Sequence, residues 1–134
     1  AERGAREIRV CNRSADKAIA MAQEFGAPVR AVPWERRNEA VADVALLVNT
    51  TNQGMDKQPA LDLSLKLLPA HALVSDVIYT PLETPLLRDA RLRGNATVNG
   101  LGMLLNQARP AFKSWFGVMP DISPALIQAV QATF

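Results

Sequence analysis

Polar and apolar residues alternate over residues 7–12, Glu-Ile-Arg-Val-Cys-Asn, which predicts a short strand. Ser14 then stands where a helix N-cap is expected, with Asp16 in the first turn, and Ala18, Ile19, Ala22 and Phe25 follow at helical spacing up to Gly26, a natural stop. A second strand is expected at 29–32, ended by Pro33, and a short polar helix over 35–42. The unbroken apolar run 44–48 predicts a strand buried on both faces. Residues 49–60 read as a loop and 64–68 as a single turn before Pro69. The next strand is expected over 72–79. Thr84-Pro85 opens a helix reaching about Arg93, with Gly94 behind it. A short strand at 96–98 precedes a long helix, 100–116, which contains Pro110 and should kink there. Pro124 opens a terminal helix.

This alternation predicts an α/β architecture: a Rossmann-like parallel sheet with helices on both faces. With 134 residues, the chain is one domain or a part of a larger protein. Hydrophobic residues make up 49% and charged residues 21%, which argues against disorder. The net charge is +2, with +3 in residues 1–37 and −1 in the remainder, too little for a general nucleic-acid binder. No apolar run approaches the roughly 20 residues that span a bilayer, so no membrane partner is expected. The single cysteine, Cys11, suits a reducing, cytoplasmic compartment. The chain opens on Ala rather than Met, as a processed chain or a fragment would. His71 is the only histidine, so neither zinc spacing nor a histidine-based nucleophile arrangement is available, and no metal is expected. His71 reads as a surface residue, Trp34 and Trp115 as packing residues, and Arg88, Arg91 and Arg93 as a solvated helix face.

In open parallel sheets ligands bind beyond the carboxyl ends of the strands. Asn12-Arg13-Ser14, Asn49-Thr50-Thr51, Tyr79 and Asn99-Gly100 hold those places. In dinucleotide folds an NAD site puts a carboxylate where Asn12 would stand. Asn12 and Arg13, with Lys17 one helical turn on, instead suit a 2′-phosphate, which a carboxylate would repel. The same residues also suit a solvated arginine at a helix start with Ser14 as its cap. The glycine turn that holds a pyrophosphate is absent, since Gly100-Leu101-Gly102 is followed by no third glycine. Counting back about 20 residues from Asn12 runs past Ala1. The expectation is a sheet that lacks its first strand within these residues, with 1–5 as the tail of the helix before Asn12.

The segments Asn12-Arg13-Ser14 with Lys17, 47–51 with Gly54-Met55, 76–79, 83–87, and 99–104 with Gln107-Ala108 occur in an order that closely resembles the C-terminal, NADP-binding part of shikimate dehydrogenases. The last segment is the most specific. Ser14 replaces a commoner Thr, and Asn106 stands where His is common. The resemblance implies an enzyme that reduces 3-dehydroshikimate to shikimate with NADPH, in aromatic amino acid biosynthesis. It implies that Asn12, Arg13, Ser14 and Lys17 line the adenosine 2′-phosphate and that Thr50 and Thr51 border the cofactor. Val77, Gly100 and Met103 would lie near the nicotinamide, and Tyr79 and Gln107 would hydrogen-bond the substrate. Read from the residues alone, Tyr79 also suits a core tyrosine at a strand end, Gln107 a helix-surface residue and Met103 packing. Residues 1–99 would form a partial NADP-binding domain, with 100–134 reaching toward an N-terminal substrate domain. A Lys and an Asp of that domain handle the proton, so no catalytic residue is expected in this chain, which alone would be inactive. Two alternatives stay open: a quinate/shikimate dehydrogenase with relaxed cofactor use, and a non-catalytic relative that binds or regulates.

Overall fold

Strands and helices fall in the expected order in the computed structural model, which describes residues 4–133. The chain divides into two compact units, Ala1–Val44 with Leu63–Pro69, and Ala45–Asp62 with Ala70–Phe134. Among the described residues the strands form two parallel sheets, a pair and a trio, in keeping with the expected lack of a first strand.

In the first unit β1 (Ile8–Cys11) pairs with β2 (Val29–Val32), Ile8 opposite Val29 and Cys11 opposite Val32. Helix α1 (Ala15–Phe25) makes the crossover that parallel neighbours require and packs on both strands. Gly26 ends it at φ 60°, its N–H donating to the Ala22 carbonyl. Of the expected apolar face Ala18 is buried and Ala22 half-buried, but Ile19 and Phe25 are 48% and 63% exposed. Two strands about 5 Å apart are no wider than one helix of about 10 Å, so the flanks of α1 stay open. The helix expected at 35–42 is a 3₁₀ turn, Trp34–Arg36, followed by α2 (Arg37–Ala40). Trp34 is half-buried, with the Arg37 guanidinium 4.8 Å from its ring centre. Residues 64–68 make a turn, Leu68 N–H donating to the Leu65 carbonyl, and both leucines are buried. Gly4 and Ala5 are not helical, so the expected helix tail fails there, and residues 1–3 lie outside the described residues.

Arg9 fastens this unit. Its guanidinium donates to the carbonyls of Ala40 and Ala42 at 3.0 and 2.8 Å and to the Asp43 carboxylate at 2.8 Å. It also pairs with Glu7, which Arg30 reaches from β2. These two arginines hold the Glu7 carboxyl down at about 2, Arg9 contributing most.

In the second unit β3 (Leu46–Asn49), β4 (Leu73–Asp76) and β5 (Thr97–Val98) lie in that order, each shorter than its expected range. Helix α3 (Pro85–Leu92) packs on β4 and β5 through buried Leu86, Leu87 and Ala90. Thr84 caps it, accepting from Leu87 N–H. Side chains alternate across the sheet, so Val74 and Asp76 face one way and Leu46 and Val48 the other. The expected burial of β3 on both faces is not found: Leu46 and Val48 are 52% and 44% exposed, as is Val98 of β5 at 49%. An apolar run is buried only on a face that something covers, and here α3 covers one. Helix α4 (Leu101–Phe116) retains Pro110 in its interior and ends at Gly117, φ 74°. Ser123 caps α5 (Pro124–Gln131). Trp115 is 76% exposed rather than packed, beside exposed Phe112 and Phe116. His71 and the arginines at 88, 91 and 93 are exposed as expected.

The Glu7 cluster generates an acid-stability prediction. A carboxyl whose folded pKa lies below its unfolded value stabilises the fold above the unfolded value, and that contribution is lost as pH falls through the folded one. The melting temperature should therefore drop between about pH 4.5 and 2. Melting curves of Glu7→Gln should lie below the native chain at pH 6 and converge with it at pH 2. A constant gap across that range would assign the ion pairs no role.

Candidate functional site

The strand-end residues fall into two groups, one in each unit. In the first unit the chain leaves β1 at Asn12, whose Oδ1 accepts from the Ser14 N–H at 3.0 Å. This bend turns the chain into α1. Ser14 holds the N-cap position, but its side chain makes no capping bond, which corrects the expected cap. Arg13, Ser14 and Lys17 are all exposed. Neither Arg13 nor Lys17 is in an ion pair among the described residues. Two unpaired cations, a hydroxyl and the uncapped amides of an eleven-residue helix make a surface suited to an anion, with Asp16 opposing it. Cys11, just before, has its thiol pKa pushed up by burial and is no reactive thiolate.

In the second unit β3, β4 and β5 are parallel, so their carboxyl ends share one edge. Val77 N–H donates to the Asn49 carbonyl at 3.1 Å and Gly100 N–H to the Ile78 carbonyl at 2.9 Å. This brings Thr50, Thr51, Val77, Tyr79 and Gly100 to neighbouring strand ends. Gly100 is required by space, not by conformation: its φ is −74°, yet a Cβ there would lie 1.9 Å from the Val77 carbonyl oxygen. Positions 100, 103 and 107 share one helical face, so Met103 and Gln107 run away from the same edge along α4. Met103 is 46% exposed, Gln107 is exposed and Tyr79 half-buried. Thr50 and Thr51 are exposed, and Thr51 is held by Asn49, whose Oδ1 accepts from both its N–H and its hydroxyl.

Beneath this edge lies a network that reading the strand ends missed. Asp76 is fully buried, and its carboxylate accepts from Asn49 Nδ2, from the Ile78 N–H and from the Thr84 hydroxyl. The signal was available: a lone carboxylate in an apolar strand must be met by donors. Two open depressions lie elsewhere, one of about 250 Å³ beside Arg9, Arg30 and Arg36, the other of about 560 Å³ beside Leu82, Leu87 and Val98. Of the strand-end residues named above, only Asn99 lines either of these two, at the second.

A description of the Shikimate 5′-dehydrogenase C-terminal domain matches residues 100–130. The shikimate dehydrogenase (NADP(+)) of Nitrobacter hamburgensis is 49% identical over 98% of this chain, which covers 46% of that protein. Thermus thermophilus shikimate 5-dehydrogenase, solved in complex with NADP(H) and shikimate, is 37% identical with TM-score 0.78, over 98% of this chain and 47% of that one. Corynebacterium glutamicum quinate dehydrogenase, solved in complex with NAD, is 28% identical with TM-score 0.82, over 99% of this chain and 47% of that one. The chain is thus similar to these shikimate dehydrogenases over nearly its whole length, and spans about half the length of the curated relatives it matches.

The Gly100 contact is directly testable. Gly100→Ala should destabilise by about 1–3 kcal/mol, because its Cβ meets backbone rather than a movable side chain. Gly102→Ala, with nothing within 4 Å of the added carbon, should be neutral or up to about 1 kcal/mol stabilising. Thermal unfolding of the two variants checks the contrast, and equal melting points would remove the packing argument.

Proposed function

We propose that this chain is the cofactor-binding part of an NADP-dependent shikimate dehydrogenase, which interconverts 3-dehydroshikimate and shikimate in aromatic amino acid biosynthesis. The observation that carries the reading is the first unit's strand end. Arg13 and Lys17 stand exposed and free of ion pairs around the N-terminus of α1, and Asn12 stands where an NAD site has a carboxylate. In this role Asn12, Arg13, Ser14 and Lys17 hold the 2′-phosphate of NADP. Thr50 and Thr51 border the cofactor. Val77, Gly100 and Met103 lie by the nicotinamide, and Tyr79 and Gln107 bond the substrate. Bound NADPH supplies the hydride; the residues of this chain bind and orient.

Residues 1–99 are then a partial NADP-binding domain and 100–134 the helices that reach toward an N-terminal substrate domain. That domain brings the proton-transferring Lys and Asp, so residues 1–134 alone do not turn over. The exposed Trp115, Phe112 and Phe116 suit contact with such a partner. Small molecules are the expected ligands, with no nucleic acid or membrane partner. No helix among the described residues is long and apolar enough to cross a membrane, and a cytoplasmic location fits one unpaired cysteine. A quinate/shikimate dehydrogenase with relaxed cofactor use is the second reading, favoured by the likeness to the Corynebacterium quinate enzyme.

Kinetics of the full-length enzyme that carries this chain test the proposal, with shikimate and quinate offered against NADP and NAD. Arg13→Ala should weaken NADP by about 10- to 150-fold, the worth of a charge-assisted bond, and leave NAD unchanged. Equal losses would make Arg13 structural.

Tyr79→Phe and Gln107→Ala should lower kcat/KM for shikimate while the NADPH dissociation constant holds. A cofactor constant that rises as steeply as kcat/KM falls would remove their substrate role.

A further inference from the structure

The β4 ladder ends at Asp76, and the segment that follows carries Val77 and Tyr79. Where the sheet stops holding the chain, the Asp76 side chain takes over. Its Oδ1 accepts from the Ile78 N–H at 3.1 Å, fixing the turn out of the strand. Oδ2 accepts from the Thr84 hydroxyl at 2.7 Å, and both oxygens lie 3.1–3.2 Å from Asn49 Nδ2. Asp76 and Thr84 are 0% exposed and Asn49 3%. No cation pairs with Asp76 among the described residues.

Each partner extends the hold. Asn49 grips Thr51 through its other amide atom, and Thr51 Oγ1 in turn accepts from Gln53 N–H. Thr84 Oγ1 accepts from Leu87 N–H at the start of α3, so its own proton is left for Asp76. The Thr84 side chain also packs against the loop at Gly54, φ 101°. One carboxylate thus ties three segments: the loop after β3, the chain leaving β4, and the N-terminus of α3.

Only a carboxylate meets this set, because every partner presents a donor. An amide at position 76 would turn one acceptor into a donor facing Asn49 Nδ2 or the Thr84 hydroxyl. One donor would then be left buried and unsatisfied.

We propose that Asp76 is a positioning residue for the dehydrogenase reaction: by holding Asn49, the Ile78 amide and Thr84 it sets where Thr51, Val77 and Tyr79 stand against cofactor and substrate. This rests on the function proposed above. Asp76 touches neither reactant; its effect passes through the segments it fixes. The partners named are all in the second unit, whereas the charged groups proposed for the 2′-phosphate, Arg13 and Lys17, belong to the first, so turnover should suffer more than cofactor affinity.

The test uses the full-length enzyme that carries this chain, with NADPH titration, shikimate kinetics and melting curves on each variant. Asp76→Asn should lower kcat/KM for shikimate about 10- to 100-fold, the scale of an ångström-sized misplacement, with the NADPH dissociation constant within about threefold of wild type. Thr84→Val, which keeps shape and loses the hydroxyl, should fall in the same direction, and Thr84→Ser should restore activity to within about threefold. Should Asp76→Asn fail to fold, the Thr84 pair decides. Asp76→Asn activity within threefold of wild type would overturn the proposal. So would parallel losses of turnover and NADPH affinity, or a Thr84→Ser variant as impaired as Thr84→Val. A wild-type enzyme without NADP-linked oxidation of shikimate would instead overturn the functional reading on which the role rests.

Discussion

A carboxylate buried without a cation is costly unless neutral donors surround it, and the second unit is built to supply them. Asp76 is fully buried and is met by an amide side chain, a backbone N–H and a hydroxyl. Desolvating a charge costs several kcal/mol, and bonds to a charged acceptor return about 1.5–3 kcal/mol each, so the balance holds only while every donor stays in place. That condition constrains the chain on both sides. Asn49 must end β3 in register with Asp76, and Thr84 must cap α3 within reach of the end of β4. The strand register, the loop after β3 and the helix start are consequences of satisfying one side chain.

Gly100 imposes a second constraint of a different kind. The chain leaving β5 crosses the carbonyl of Val77 so closely that no Cβ fits. Together the two constraints place the ends of β3, β4 and β5 with little freedom, one by hydrogen bonding and one by steric exclusion. Coverage of the sheets is less complete. Parallel strands are stable when both faces are covered. In the second unit α3 covers one face, and Leu46, Val48 and Val98 stay open on the other. An apolar face of that kind is where a parallel sheet accepts further structure. The chain spans about half the length of its curated relatives, so structure of that extent exists in those proteins.

The order of elements was legible because its signals are local. Thr84-Pro85 opens α3 and Gly26 ends α1, as capping chemistry requires. Of the strand-end residues, those after β3, β4 and β5 fall at the edge where Val77 and Gly100 meet, while Asn12, Arg13 and Ser14 belong to the first unit. Burial was not legible, because it belongs to what lies opposite. The run 44–48 reads as doubly buried, and Phe25 and Trp115 read as packed, yet each depends on a surface that periodicity cannot see. Ser14 suits a side-chain cap by residue type; the structure keeps the position and leaves the hydroxyl out of the bond. The role of Asp76 is not legible in the sequence for a related reason. Its importance lies in donors 8 and 27 residues away, a pairing that residue type suggests and only the fold specifies.

The two units also divide the physics of the proposed site. In the first, the groups proposed to bind the phosphate are exposed and would act through charge, so their contribution would weaken with salt and their loss would cost affinity with little structural consequence. In the second, the organising groups are buried and act through neutral donors, so salt barely reaches them and their loss displaces segments. Specificity for a charged phosphate and precision at a reacting carbon call for these opposite environments. A phosphate contact tolerates some movement of a long arginine, because Coulomb energy varies slowly with distance at high dielectric. Hydride transfer does not tolerate an ångström of it. The residues that would choose the cofactor can therefore sit on a mobile surface, while those that would aim it need a network in which every donor is already committed.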